Sequence, residues 1–163
     1  MINVDELPKR RSSWIRISNV PRARLGWEFS DCTDVVPADI KLVKAWVSKV
    51  QKGDVIRADG KPTCGKGLLI VGEPGHGKTT LALSAIQEMM RTFSPEEFTV
   101  DDNKALVKPC YFATFNDIIN LKGLEIGREI TDEQERLLLG MHGECNDDAY
   151  NIRVLIIDDV GKE

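Results

Sequence analysis

No run of about 18 or more apolar residues occurs in this sequence, which removes a membrane-crossing helix from consideration. The opening MINVDELPKRR carries Asp5 and Glu6 and has no apolar core, so it does not read as a signal peptide, and a cytoplasmic location is expected. Cysteine is sparse. Cys32, Cys64, Cys110 and Cys145 stand 32, 46 and 35 residues apart, a spacing that offers neither a C-x-x-C pair nor a zinc site. Only His76 and His142 could complete such a site, so free thiols are expected. Internal repeats and low-complexity blocks are also missing. What remains is a chain of 163 residues, long enough for a sizeable core and too short for two ordinary domains.

Charge is unevenly spread. The formal net charge of −4 resolves into +4 over residues 1–27 and −8 over the rest. Lys9, Arg10, Arg11, Arg16, Arg22 and Arg24 make the first stretch a basic arm, with Trp14 and Trp27 among the cations. Such an arm can grip a nucleic-acid backbone and stack on bases, or it can be a solvated or partner-binding tail.

Apolar periodicity supplies the elements. Ile40, Val43, Val47 and Val50 recur every three or four residues, with Trp46 beside them, which predicts an amphipathic helix over residues 37–52 that Gly53 stops. Residues 54–67 read as a loop or short hairpin. The run 68–71 (Leu-Leu-Ile-Val) reads as a buried strand of a parallel sheet. A helix over residues 78–93 follows, with Ala82, Ile86, Met89 and Phe93 on one face, ended by Ser94 and Pro95. Residues 109–115 read as a second strand, after which Asn116 caps a short helix that stops at Gly123. Thr131 and Gln134 have capping-box spacing, and Asp132 and Glu133 suit the positive end of the helix they open. The run 154–157 (Val-Leu-Ile-Ile) is a further strand, closing in Asp158 and Asp159. Strands alternating with helices predict an α/β layer with a parallel sheet.

Two motifs carry chemistry. Gly72, Gly77, Lys78 and Thr79 match G-x-x-x-x-G-K-[ST] between an apolar run and a helix. Glycines there let successive N–H groups turn inward, and the helix dipole adds to a concave anion site. The segment Gly72, Glu73, Pro74, Gly75, His76, Gly77, Lys78, Thr79 and Thr80 is therefore the expected cradle for the phosphates of ATP. Lys78 is expected to reach the β- and γ-phosphates, and the Thr79 hydroxyl to coordinate Mg2+. His76 is expected to be a surface residue pointing away from the phosphates. The Glu73 side chain, negative beside an anion site, is expected to face solvent or a partner. In the second motif, Asp158 is expected in the magnesium shell and Asp159 to polarise the attacking water.

The combination of GEPGHGKTTLA, YFATFNDIINLKG and LIIDDVGKE resembles the AAA+ ATPases of the DnaC-type helicase loaders and IstB-type transposition helpers, including phage-encoded versions. NVPRARLG, ahead of the first predicted helix, is similar to their proline-containing lead-in. The resemblance runs from about Val20 to Glu163, with residues 124–150 poorly matched. It implies a P-loop NTPase sheet of AAA+ type flanked by helices, with residues 1–27 as arm and lead-in and residues 28–163 as the N-terminal part of the ATPase domain. It also implies ATP-driven handling of single-stranded DNA and of a replicative helicase, and a catalytic role for Asp159. Thr114, at the end of the second strand, falls near the family's nucleotide-sensing position. A transposition helper and a nucleotide-gated protein adaptor without DNA binding are the competing functions.

By the same resemblance, family members continue past the position of Glu163 into the sensor-1 strand, the arginine finger and the lid. The expected sheet is then incomplete at its C-terminal side, with a slot between the strand at 68–71 and the strand at 154–157, as in a fragment, one piece of a split protein, or a domain completed by an oligomer or a partner chain. Strand reordering or a local hairpin is the alternative. Hydrolysis is expected to be weak, since an arginine finger is worth about 10³ to 10⁵ in rate.

Overall fold

The computed structural model describes residues 1–52, 67–100, 104–127 and 130–159. The expected stop at Gly53, the loop or hairpin at 54–66, Cys64 and the residues after Asp159 lie outside the described residues. The chain divides into two compact units, one of residues 1–3 and 26–93, the other of residues 4–25 and 94–163.

In the first unit, helix α2 (Pro37–Gln51) packs on helix α3 (Lys78–Thr92). α2 begins with proline at its first position, where a missing N–H costs nothing, and buries Val43, Val47 and Val50 as the periodicity predicts. α3 departs from the expected single apolar face. Leu81 and every residue from Leu83 to Gln87 are buried, as are Met89 and Met90, so this is a core helix enclosed on most sides. Among those buried positions are the polar Ser84 and Gln87.

The one strand expected in this unit, at 68–71, is absent. Residues 68–71 form no ladder; Leu69 is 85% and Val71 80% exposed. Four apolar residues do not make a strand by themselves, because the ladder needs a partner for its N–H and C=O groups, and the described residues of this unit contain no other strand.

The second unit holds helix α1 (Lys9–Ile17), an antiparallel pair of two-residue strands β1 (Thr99–Val100) and β2 (Lys104–Ala105), strand β3 (Cys110–Thr114), helices α4 (Phe115–Gly127) and α5 (Asp132–His142), and strand β4 (Val154–Asp158). β3 and β4 pair in parallel, with Cys110 opposite Val154 and Thr114 opposite Asp158. This is the parallel pairing expected of the α/β arrangement. Neither strand end needs the other's turn, since the connection runs through α4 and α5.

α1 lies inside the stretch expected to be a basic arm. Lys9, Arg10 and Arg11 crowd the positive end of its dipole, each costing about 0.3–1 kcal/mol, and Pro8 gives no side-chain cap. Burial outweighs this: Ile15 is fully enclosed, worth roughly 1.5–3 kcal/mol. Trp14 is 3% exposed, donates its indole N–H to Leu106 O at 3.0 Å and meets the Phe98 ring edge-on at 5.2 Å. After the helix, Ser18 O accepts from Phe112 N at 2.9 Å and the Asn19 amide donates to Phe112 O at 2.9 Å, so residues 18–19 cover the outer edge of β3.

Two helix boundaries differ from expectation. α4 begins at Phe115, with Thr114 and Asp117 exchanging cap hydrogen bonds, so Thr114 and not Asn116 opens it, and it runs on past Gly123 to Gly127. A threonine three residues before an aspartate satisfies two backbone donors at once, which a lone asparagine cannot match. α5 begins as expected, with Thr131 and Gln134 forming a reciprocal capping box. Cys32, Cys110 and Cys145 are free and buried, and burial pushes the thiols of Cys32 and Cys110 up.

Candidate functional site

The glycine-rich loop closes on the amino end of α3. Gly75 and Gly77 have φ of +86° and +68°, the left-handed region that glycine enters without strain. Gly77 is the N-cap residue, and a Cβ there would stand 2.7 Å from Cγ2 of Val35. Position 77 is thus reserved for glycine by both backbone and neighbour. Val35 was not foreseen as part of the site; nothing in its local sequence signals that it buttresses a loop 42 residues downstream.

The first bond of the α3 ladder runs from Leu81 N–H to Gly77 O at 2.8 Å, so the N–H groups of Lys78, Thr79 and Thr80 precede the ladder. No side chain caps this end and its first turn contains no acid. Those features suit an anion: the helix dipole and backbone N–H groups sit at a terminus with no acidic side chain in its first turn. The Lys78 stem passes 3.8 Å from where a Gly72 Cβ would be, and its ammonium donates to Glu73 O at 2.7 Å. His76 Nδ1 stands 3.2 Å from the same carbonyl oxygen. Glu73, Pro74, Gly75 and His76 are exposed, while Thr79 and Thr80 are half-buried in the first turn. The exposed positions of Glu73 and His76 are those expected.

The other end of α3 is held by a polar clasp. Gln87 Oε1 accepts from Gly26 N at 2.7 Å, the Ser84 hydroxyl donates to Glu28 O at 3.1 Å, and Arg91 pairs with the carboxylates of Glu28 and Glu88. Arg91 holds the Glu28 carboxyl below its ordinary range, its hydrogen bond outweighing the opposing effect of burial. Ser84 and Gln87, polar residues inside an apolar helix, were the sequence signal for this anchor.

The second motif lies in the other unit. Asp158 is the last residue of β4 and half-buried; Asp159, exposed, follows with φ +57°. Aspartate tolerates the left-handed region better than most residues, and such a conformation at a strand end is common in functional sites. Thr114 lies opposite Asp158, but its hydroxyl donates to Asp117 Oδ2 at 2.7 Å and accepts from Asp117 N, which occupies it as a helix cap. Gly72 to Thr80 are therefore assembled within one unit, and Asp158 and Asp159 within the other.

Each motif carries a hard oxygen donor of the kind Mg2+ takes, the Thr79 hydroxyl in the first unit and the Asp158 carboxylate in the second, and Mg2+ needs only one or two protein ligands, completing its shell with water and phosphate. No group of three or more His, Cys, Asp or Glu side chains forms a metal cluster among the described residues, and a site of this kind needs none.

The chain matches the family model described as ATPase family associated with various cellular activities (AAA) over residues 68–162, a stretch that contains both motifs. Searches of curated proteins and of solved structures returned no match.

Proposed function

This chain belongs to the AAA family of ATPases, and from that premise we propose that it is the ATP-binding module of a DNA-replication helicase loader. The curl of Gly75 and Gly77 into the amino end of α3, with Lys78 as the first helical residue, carries the ATP-binding part of this reading. The loader part is supported by the resemblance of the phosphate loop, of residues 111–123 and of the Asp-Asp ending to DnaC-type loaders.

In this reading the backbone N–H groups of Lys78, Thr79 and Thr80 bind the phosphates and the Lys78 ammonium leaves Glu73 O to pair with them. Thr79 and Asp158 are the residues that would each offer an oxygen to the metal. Magnesium, when bound, neutralises charge on the β- and γ-phosphates. Asp159 accepts a hydrogen bond from the attacking water and draws its proton. Lys78→Ala should abolish binding of magnesium-ATP, measured with a fluorescent ATP analogue, while Asp159→Asn should retain binding and lose hydrolysis. A Lys78→Ala variant that binds like the parent would sink the assignment.

Partners follow from the same reading: a replicative helicase, and single-stranded DNA held by the cations of residues 1–27. Lys9, Arg10 and Arg22 are exposed and available to phosphates, whereas Trp14 is enclosed and offers no stacking face. The burial of Trp14 is the observation that favours the second reading, an adaptor gated by nucleotide that binds protein and no DNA. Titrating oligothymidylate binding against salt separates them: phosphate contacts give a steep negative slope of log affinity against log salt, and the adaptor gives no binding to titrate.

A further inference from the structure

Two donors converge on one acceptor in the phosphate loop. Lys78 Nζ lies 2.7 Å and His76 Nδ1 3.2 Å from Glu73 O, the carbonyl three residues before the histidine. A carbonyl oxygen has two lone pairs and can accept both. For the ammonium to reach phosphate it must turn from this carbonyl, and the loop would then lose the contact that ties its beginning to its end. We propose that His76 is a positioning residue for ATP: with its proton on Nδ1 it donates to Glu73 O and keeps the loop curled after Lys78 has swung to the phosphates. The inference rests on the ATP-site reading above and adds to it a role for a side chain at a variable position of the motif. Among the described residues His76 is exposed and has this one hydrogen bond to the loop.

This role has a distinctive signature. With Lys78 on Glu73 O, removing the imidazole leaves the loop tied; with Lys78 on the phosphates, it leaves the loop untied. His76→Ala should therefore weaken magnesium-ATP binding by about three- to tenfold, the worth of one neutral hydrogen bond. The melting temperature without nucleotide should stay within about 1 °C of the parent, far from the shift of a general destabilisation. His76→Asn, whose amide can donate from nearly the position of Nδ1, should restore most of the affinity.

Equilibrium titration with the fluorescent ATP analogue and thermal melts of parent, His76→Ala and His76→Asn test this together. Unchanged affinity in His76→Ala, with a parent that binds, overturns the role of His76 and leaves the ATP site standing. Weaker binding accompanied by a matching fall in melting temperature, or with no recovery in His76→Asn, also overturns it, because the residue is then structural or its imidazole is needed for something else. A parent that does not bind the nucleotide overturns the ATP reading itself, and this inference with it.

Discussion

The runs at 68–71 and 154–157 are almost interchangeable in composition, Leu-Leu-Ile-Val against Val-Leu-Ile-Ile, and each leads into one of the two motifs. Only the second is a strand. β4 lies beside β3 in register, and the far edge of β3 is covered in turn by Ser18 and Asn19. Residues 68–71 have no such neighbour among the described residues of their unit, and Leu69 and Val71 face outward. A strand is a property of a pair of segments, because the ladder satisfies two backbones at once; apolar content only makes a segment eligible. The phosphate loop does not depend on that pairing for its anchorage. It hangs on α3, which is fastened to residues 26–32 by Gln87, Ser84 and Arg91.

The largest test of this contrast is Phe112→Ala in β3. Phe112 is 6% exposed and stands opposite Ile156, so its truncation should lower the unfolding free energy by about 3–5 kcal/mol in urea denaturation. A loss near zero would mean that β3 and β4 are not the paired core.

A middle-sized effect is expected where α3 is clasped. The folded-state pKa of Glu28 lies below its ordinary 4.5, through the Arg91 hydrogen bond. Its contribution is therefore complete above that ordinary value and is lost as pH falls through the lower folded value. Glu28→Gln should be less stable than the parent at pH 7, with the gap closing on acidification below about pH 4.5. Parallel stability curves for the two proteins down to pH 2 would remove the clasp from the account.

The smallest effect belongs to Leu69→Ala. At 85% exposure the side chain has little to lose, and the change in unfolding free energy should be within about 0.5 kcal/mol. A loss of about 2 kcal/mol or more would show that 68–71 is packed as a strand in solution and would erase the contrast with β4.

Much of the candidate site was legible because its signals are local. The positive φ of Gly75 and Gly77 and the start of α3 at Lys78 follow from the spacing of glycine, lysine and threonine. The capping box at Thr131 and Gln134 follows from two residues three apart, and α2 from a period that Val43, Val47 and Val50 keep. Where signals compete, the local reading fails: Asn116 looked like a cap, but Thr114 and Asp117 form the better pair one residue before the helix. No helix among the described residues is long and apolar enough to cross a membrane, in keeping with the absence of long apolar runs.

By itself the sequence determined the glycine turn ahead of α3 and the helices whose apolar period or caps are written within a few residues, since these depend on interactions between near neighbours. Tertiary structure alone decided that the basic stretch folds into α1 around a buried Trp14, that Val35 backs Gly77, and that one apolar run pairs while the other does not. Each of those outcomes is a contact between segments far apart in the chain, and its energy comes from a partner whose position no local pattern records.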